Sequence, residues 1–274
     1  MSTQNAVNQE LIDLLNILTP THEEFTVDPN YLNSIKECLE DHFGMTSFFR
    51  MGSFENGTSI SGYSGVDYIA EIPTHHLTSD PKDILRDARD ALSKRLQCYV
   101  YVNCPNVAEE LFTDEGIETL DHENSEEAEV QGENCPAVVV PFSTDTKGSI
   151  RVIPADFIEV NDDGHKIYEI PHFYGVDEDG YWVEDMEWGL SSPAAHKAYL
   201  RRVDADLQKK VKPLIRLIKT WKYFNNIRIS SYYLEKKSQN MQMTNPVSFM
   251  LRIWKVCFLI WTMNSFFWLQ IPNI

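Results

Sequence analysis

Basic side chains are scarce in this chain. Lys and Arg number 24 against 41 Asp and Glu, a formal net charge of −17 over 274 residues. A field of that sign repels nucleic acid, so no direct DNA binding is expected, and any polyanionic ligand needs a locally positive site. Cysteine is sparse too: Cys38, Cys98, Cys104, Cys135 and Cys257 form no CxxC and, with the histidines, no zinc-finger spacing. The opening MSTQNAVNQELIDLL has no basic region ahead of its apolar residues and reads as a capped helix. With the odd cysteine count, this predicts a reducing, cytoplasmic setting. Long apolar runs are missing as well. The uncharged VCFLIWTMNSFFWLQI, Val256 to Ile271, falls short of the roughly 20 apolar residues of a membrane helix, so no membrane partner is expected. It is expected as a terminal helix, with a membrane-attached tail or an altered C-terminus as alternatives. No Asp or Glu follows Glu235, and no internal repeat is visible.

What is present is ordinary for a globular protein, with 43% hydrophobic residues, enough for one large domain or two small lobes. Asp28-Pro29 opens a helical pattern in which Leu32, Ile35, Leu39 and Phe43 recur every three or four residues. DPKDILRDARDALSKRL predicts a second helix, with Ile84, Leu85, Ala88, Leu92 and Leu96 on one side. Between them SGVDYIAEIP alternates and stops at Pro73, as a strand does. CYVYVNCP reads as another strand. From Asp114 to Asn134 the chain has nine acidic residues and no Lys or Arg, and a solvated loop is expected. PAVVVPF and SIRVIPADFIEV are strands on either side of the turn STDTKG, and KIYEIP follows NDDG. After Ser192-Pro193, helix spacing returns at Leu200, Val203, Leu207 and Val211. Pro213 marks either a kink or the start of a new helix, and Leu214, Leu217, Ile218 and Trp221 continue the apolar face. The order implies an α+β fold. A mixed-sheet lobe with N-terminal helices spans residues 1–190, a helical lobe spans 191–274, and a cleft lies between them.

The chemistry concentrates in GSFENGTSISGYSGVDYIAEIP, Gly52 to Pro73. A Gly-Ser turn lets backbone amides approach a phosphate, with the serine hydroxyl as a further donor. Asp67 follows at the start of a strand. Residues i and i+2 of a strand share a face, so a pair of carboxylates there can converge on two magnesium ions, activate a hydroxyl and stabilise a leaving pyrophosphate. Here the position two before Asp67 is Gly65.

This stretch resembles the nucleotidyltransferase motif of the bacterial CD-NTases, of the SMODS type. These relatives of cyclic GMP-AMP synthase make cyclic oligonucleotides in anti-phage defence. SIRVIPADFIEV is similar to the strand that carries the family's third carboxylate, and YEIP follows it. SSPAAHKAYL resembles the segment leading into the helical lobe, and KPLIRLIKTWKYFNNIRISSYYLE the long helix with the S-Y-x-L-E signature after it. Together the matches cover about residues 45 to 235. The resemblance implies a two-lobed, polymerase-beta-like nucleotidyltransferase fold. It implies nucleoside triphosphates as substrates, Mg2+ or else Mn2+ as cofactor, and defence-operon proteins as partners. It makes Asp67 the catalytic metal ligand. Gly52 and Ser53 would hold the phosphates, and Lys219 and Ser231 the triphosphate tail.

The departures bear on activity. The family has an aspartate at the Gly65 position and an acidic residue on the partner strand, where this chain has Arg151; in an alternative register with VVVP as partner, Val138 stands there. Of three metal carboxylates, Asp67 remains. A guanidinium near the site competes with metal for phosphate. Glu55 in the Gly-Ser loop, Glu71 and Asp145 in a turn are the candidate substitutes, but Glu71 lies ~13 Å from Asp67 along the strand and reads as a solvated edge residue. Lys212, Arg216 and Lys219 share one helix face, as a phosphate grip or as a solvated basic surface. Tyr232 suits base stacking or burial under the helix, Gly57 and Thr58 shape the loop, and His75-His76 lack an acid to complete a metal site. No motif supports a Ser-His-Asp nucleophile. Two functions therefore remain: a cyclic-nucleotide synthase, slow or manganese-dependent, and a nucleotide- or partner-binding protein without turnover. A nucleotidyltransferase acting on RNA or protein is a third, disfavoured for RNA by the missing basic domain.

Overall fold

The computed structural model describes residues 3–62, 65–103, 136–141, 148–173, 186–224 and 231–239. The acidic stretch from Asp114 to Asn134, Asp145 and the apolar segment from Val256 lie outside the described residues. Seven helices are described: α1 (Thr3–Leu18), α2 (Pro29–Phe43), α3 (Gly52–Asn56), α4 (Pro81–Leu96), α5 (Pro193–Asp206), α6 (Val211–Phe224) and α7 (Ser231–Gln239). The strands are β1 (Ser47–Met51), β2 (Val66–Glu71), β3 (Tyr101–Asn103), β4 (Ala137–Pro141), β5 (Ser149–Val160), β6 (Lys166–Phe173) and β7 (Met186–Ser191).

The sheet runs β1-β2-β5-β4-β3, and β6 joins the far half of β5 and pairs in turn with β7. β2 and β5 are parallel; the other pairs are antiparallel. This is the mixed sheet expected from the sequence. The two register options resolve, because Asp67 stands opposite Arg151 and β4 lies beyond β5 with Val138 opposite Val152.

Helices α2 and α4 begin as their sequences specify. Asp28 and Asp80 accept from the backbone N–H of Asn30 and Lys82, both at 2.8 Å, and a proline opens each helix. Their apolar faces, Ile35, Leu39, Ile84, Leu85, Ala88 and Leu92, cover one face of the sheet at Val66, Tyr68, Ala70, Val138, Val140, Ile150 and Val152. Strand alternation sends the intervening residues to the opposite face, where Ile69, Ile153, Ala155, Tyr168 and Ile170 form a smaller core. Asp67 and Arg151 belong to that second face.

Helices α5 and α6 pack together around Leu200, Val203, Val211 and Ile215, and α7 lies against both. Pro213 neither kinks nor starts a helix; it is the third residue of α6, where its missing N–H costs no helical bond. The turn before α6 holds Gln208 and Lys209 at positive φ, 56° and 61°. Buried Asp204 stabilises it by accepting from the N–H groups of Val211 at 3.0 Å and Lys212 at 3.1 Å, two donors that the first turn of α6 leaves open. Replacing Asp204 with Ala is expected to lower stability by about 1–2 kcal/mol, as loss of a helix cap does. Urea unfolding of the two proteins measures it, and an unchanged midpoint would remove Asp204 from this role.

Candidate functional site

The site follows from the register of β2 on β5. Facing positions of neighbouring strands point to one side of the sheet, so Asp67 and Arg151 meet on the face away from α2 and α4. Arg151 Nη1 lies 3.1 Å from Asp67 Oδ1. The contact is an ion pair without hydrogen-bond alignment at that oxygen. The Asp67 side chain is 14% exposed and that of Arg151 28%. Burial pushes the Asp67 carboxyl above the ordinary aspartate range; Arg151 and Lys219 work against that, and Glu235 adds to it.

β1 ends opposite Asp67, with Met51 as its register partner, and the chain turns there into α3. The Gly-Ser segment, expected as a loop, is thus the first turn of a short helix. Gly52 has φ +70°, and a Cβ on it would lie 2.2 Å from Asp67 Oδ2. Backbone conformation and space both require glycine there. Ser53 follows, its carbonyl accepting from Thr58 N at 2.8 Å.

The helical side of the cleft is organised by Glu235. This buried carboxylate pairs with buried Lys219, meets His196 Nε2 at 3.1 Å, and accepts from Thr58 Oγ1 at 2.5 Å and Asn56 Nδ2 at 3.5 Å. Burial alone would raise its pKa, but the Lys219 charge and the bonds from His196, Lys219 and Thr58 outweigh it and hold the group down to about 2. Arg216 donates to the carbonyls of Gly57 at 2.8 Å and Ser59 at 3.2 Å, and a Cβ on Gly57 would meet Lys212 Nζ at 3.6 Å. The solvated basic face weighed for Lys212, Arg216 and Lys219 is therefore not what forms; these side chains face the loop at 57–59 and Glu235. Lys222, also buried, donates to Ser231 Oγ at 3.1 Å.

A cleft of about 520 Å³ brings Gly52, Ser53, Asp67, Lys219 and Ser231 together, with Arg151 and Gly65 on the same wall. Tyr232 also lines it, 39% exposed with its ring 5.0 Å from that of His196, so burial under the helix does not describe it. Of the acids considered as replacements, Glu71 and Glu55 stay out. Glu71 is not a solvated edge residue: it pairs with Lys166 at 3.0 Å, accepts from Tyr168 and is 14% exposed. Glu55 pairs with Lys197. His75 and His76 form a single 3-10 turn with rings 4.3 Å apart. Sequence reasoning missed the roles of Glu235 and His196. Both were inside quoted motifs, but only the packing of α5 and α7 on the loop at 56–58 brings them to Lys219.

The residues on this wall do not fit a carboxylate clamp for magnesium. Asp67 Oδ1 faces a guanidinium, and Oδ2 lies against Gly52. The place of a second carboxylate is tight: a Cβ at Gly65 would meet Ser149 Oγ at 2.9 Å and the Ser149 carbonyl at 3.0 Å. Among the described residues, no group of three His, Cys, Asp or Glu could hold a metal ion.

No family model matches the chain, and no curated protein matches it. Solved structures do. The chain is similar to the CdnE cyclic dinucleotide synthase of Elizabethkingia meningoseptica, solved with GTP and Apcpp, with a TM-score of 0.54 at 16% identity over 85% of this chain and 74% of that one. It is similar to CdnC of E. coli MS115-1, solved in a complex with HORMA-deltaN, with a TM-score of 0.50 at 14% identity over 85% of this chain and 63% of that one. The chain thus spans less than two thirds of the CdnC protein's length. At these identities the likeness shows the fold, the α+β nucleotidyltransferase fold expected from the motifs.

Two outcomes follow from this packing. Gly65→Asp is expected to destabilise by about 1–3 kcal/mol, the usual cost of overpacking, because Ser149 must move to admit it; equal stability in urea would show that the space opens freely. Glu235 has a depressed folded pKa, so its stabilising contribution is complete above the ordinary glutamate range near 4.5 and is lost as pH falls towards about 2. The stability gap between the native protein and Glu235→Gln should therefore shrink over that window. A gap independent of pH would remove the ionised carboxylate from the account.

Proposed function

We propose that this chain binds a nucleoside triphosphate in the cleft and is impaired in nucleotidyl transfer. The observation that carries the reading is the Asp67–Arg151 ion pair, which places a fixed cation on the carboxylate that transfer would need. Binding draws on the same wall. Gly52 presents backbone without a side chain, Ser53 offers a hydroxyl, and Lys219 and Ser231 stand across the cleft beside Lys222. The fold shared with a cyclic dinucleotide synthase supports nucleotides as the ligand class. On the resemblance of the motifs, the ancestral reaction is attack of a ribose hydroxyl on an α-phosphate with pyrophosphate leaving, in an anti-phage setting with partner proteins from the same operon.

The chain's own residues supply orientation and charge in this reading. Neither carboxylate of the cleft is placed as a general base for a ribose hydroxyl. Asp67 is held by Arg151, and Glu235 is saturated with donors and buried.

The test is product formation from labelled ATP, GTP, CTP and UTP, with magnesium and separately with manganese, alongside thermal melts. The expected result is no phosphatase-resistant product, together with a rise in Tm of about 2–4 °C from at least one nucleotide, the shift that 1–2 kcal/mol of ligand linkage gives a chain of this size. A cyclic phosphodiester product would overturn the impairment. No melting shift with any nucleotide would overturn the binding.

A further inference from the structure

The charge of the cleft is set differently from that of a metal-dependent phosphate site. Its wall carries a fixed cation, Arg151, directly opposite Asp67 and 28% exposed towards the space. Asp67 has one oxygen on that guanidinium and the other against Gly52, so coordinating a divalent ion would mean displacing Arg151 or forcing two positive charges together. The position two residues earlier offers no vacancy either, because Ser149 fills the space around Gly65. Lys219 and His196 add positive or protonatable groups across the cleft, both held by Glu235.

Resting on the nucleotide reading above, we infer that the cleft takes its nucleotide as the metal-free polyphosphate anion, with the Arg151 guanidinium supplying the charge that a metal ion would otherwise bring. A planar guanidinium matches two phosphate oxygens at once and is always charged. Asp67 then has a new role. It is the counter-ion that keeps Arg151 paired while the cleft is empty, and phosphate takes its place on the guanidinium. Magnesium on the nucleotide masks those phosphate oxygens and brings its own charge against Arg151, so it weakens binding.

This assignment reverses the sign of a substitution. If Asp67 were a metal ligand, Asp67→Asn would abolish metal-dependent binding. Here the isosteric change removes a competitor for Arg151 and a negative charge facing the phosphates, and it tightens metal-free binding. The experiment titrates the full chain with ATP, GTP, CTP and UTP by calorimetry at constant ionic strength, once in EDTA and once in excess magnesium. The expected result is binding in EDTA, weakened several-fold by magnesium. Asp67→Asn should tighten the EDTA Kd by about 3- to 10-fold and Arg151→Gln weaken it by about 10-fold or more, on the scale of one charge-assisted phosphate contact. A gain in Asp67→Asn cannot come from misfolding, so the inference stays testable even if Arg151→Gln fails to fold. Binding seen with magnesium alone, and lost in Asp67→Asn, would overturn the inference and leave the nucleotide reading standing. No binding in either condition, by protein with an intact melting transition, would overturn both.

Discussion

The parallel pairing of β2 with β5 sets Asp67 opposite Arg151, and the rest of the cleft is arranged around that contact. Two strands in register leave their facing side chains no choice of neighbour. An acid in place of Arg151 would set like charges on adjacent strands and need a cation between them. The guanidinium meets that need from within the chain. Removing one partner of a fully buried ion pair costs about 3–5 kcal/mol because the other charge is stranded. Losing Arg151 would strand Asp67, the more buried of the two, whereas the greater exposure of Arg151 is what leaves it accessible to an anion.

Across the cleft, Glu235 does for the helices what the strand register does for the sheet. It gathers Lys219 from α6, His196 from α5 and Thr58 and Asn56 from the end of α3 onto one carboxylate. A buried carboxylate with this many donors is held ionised. Arg216 adds a second tie, reaching the carbonyls of Gly57 and Ser59. The short helix that carries Gly52 and Ser53 is therefore held from the sheet at one end and from the helical side at the other.

How far the sequence reveals this depends on the range of the interactions. Local signals were readable: Asp28-Pro29 and Asp80-Pro81 start α2 and α4, and the apolar period of each matches its buried face. SIRVIPADFIEV is β5 from Ser149 to Val160. Arg151 was visible as a departure from the resembled motif, but the choice between Arg151 and Val138 required the register, which local pattern does not contain. Glu71 was misread for the same reason. Its partners Lys166 and Tyr168 come from β6, nearly a hundred residues along the chain. Glu235 and His196 were hidden in plain motif text, because the side chains that give them a role converge only in three dimensions.

The whole-molecule charge sharpens the meaning of these local pairs. At −17, the protein repels an anionic ligand until the ligand is close, since charges farther than about 8 Å are largely screened at physiological salt. Inside that distance the outcome depends on the groups lining the cleft, and these come as two balanced pairs, Asp67 with Arg151 and Lys219 with Glu235. A balanced pair attracts an anion only by exchanging its internal partner for the ligand. Of the two, the pair on the sheet is the one better able to exchange: Arg151 is 28% exposed, whereas Lys219 and Glu235 are each 4% exposed and Glu235 is tied to further donors. Arg151 is thus the cleft cation that solvent, and therefore a ligand, reaches more readily.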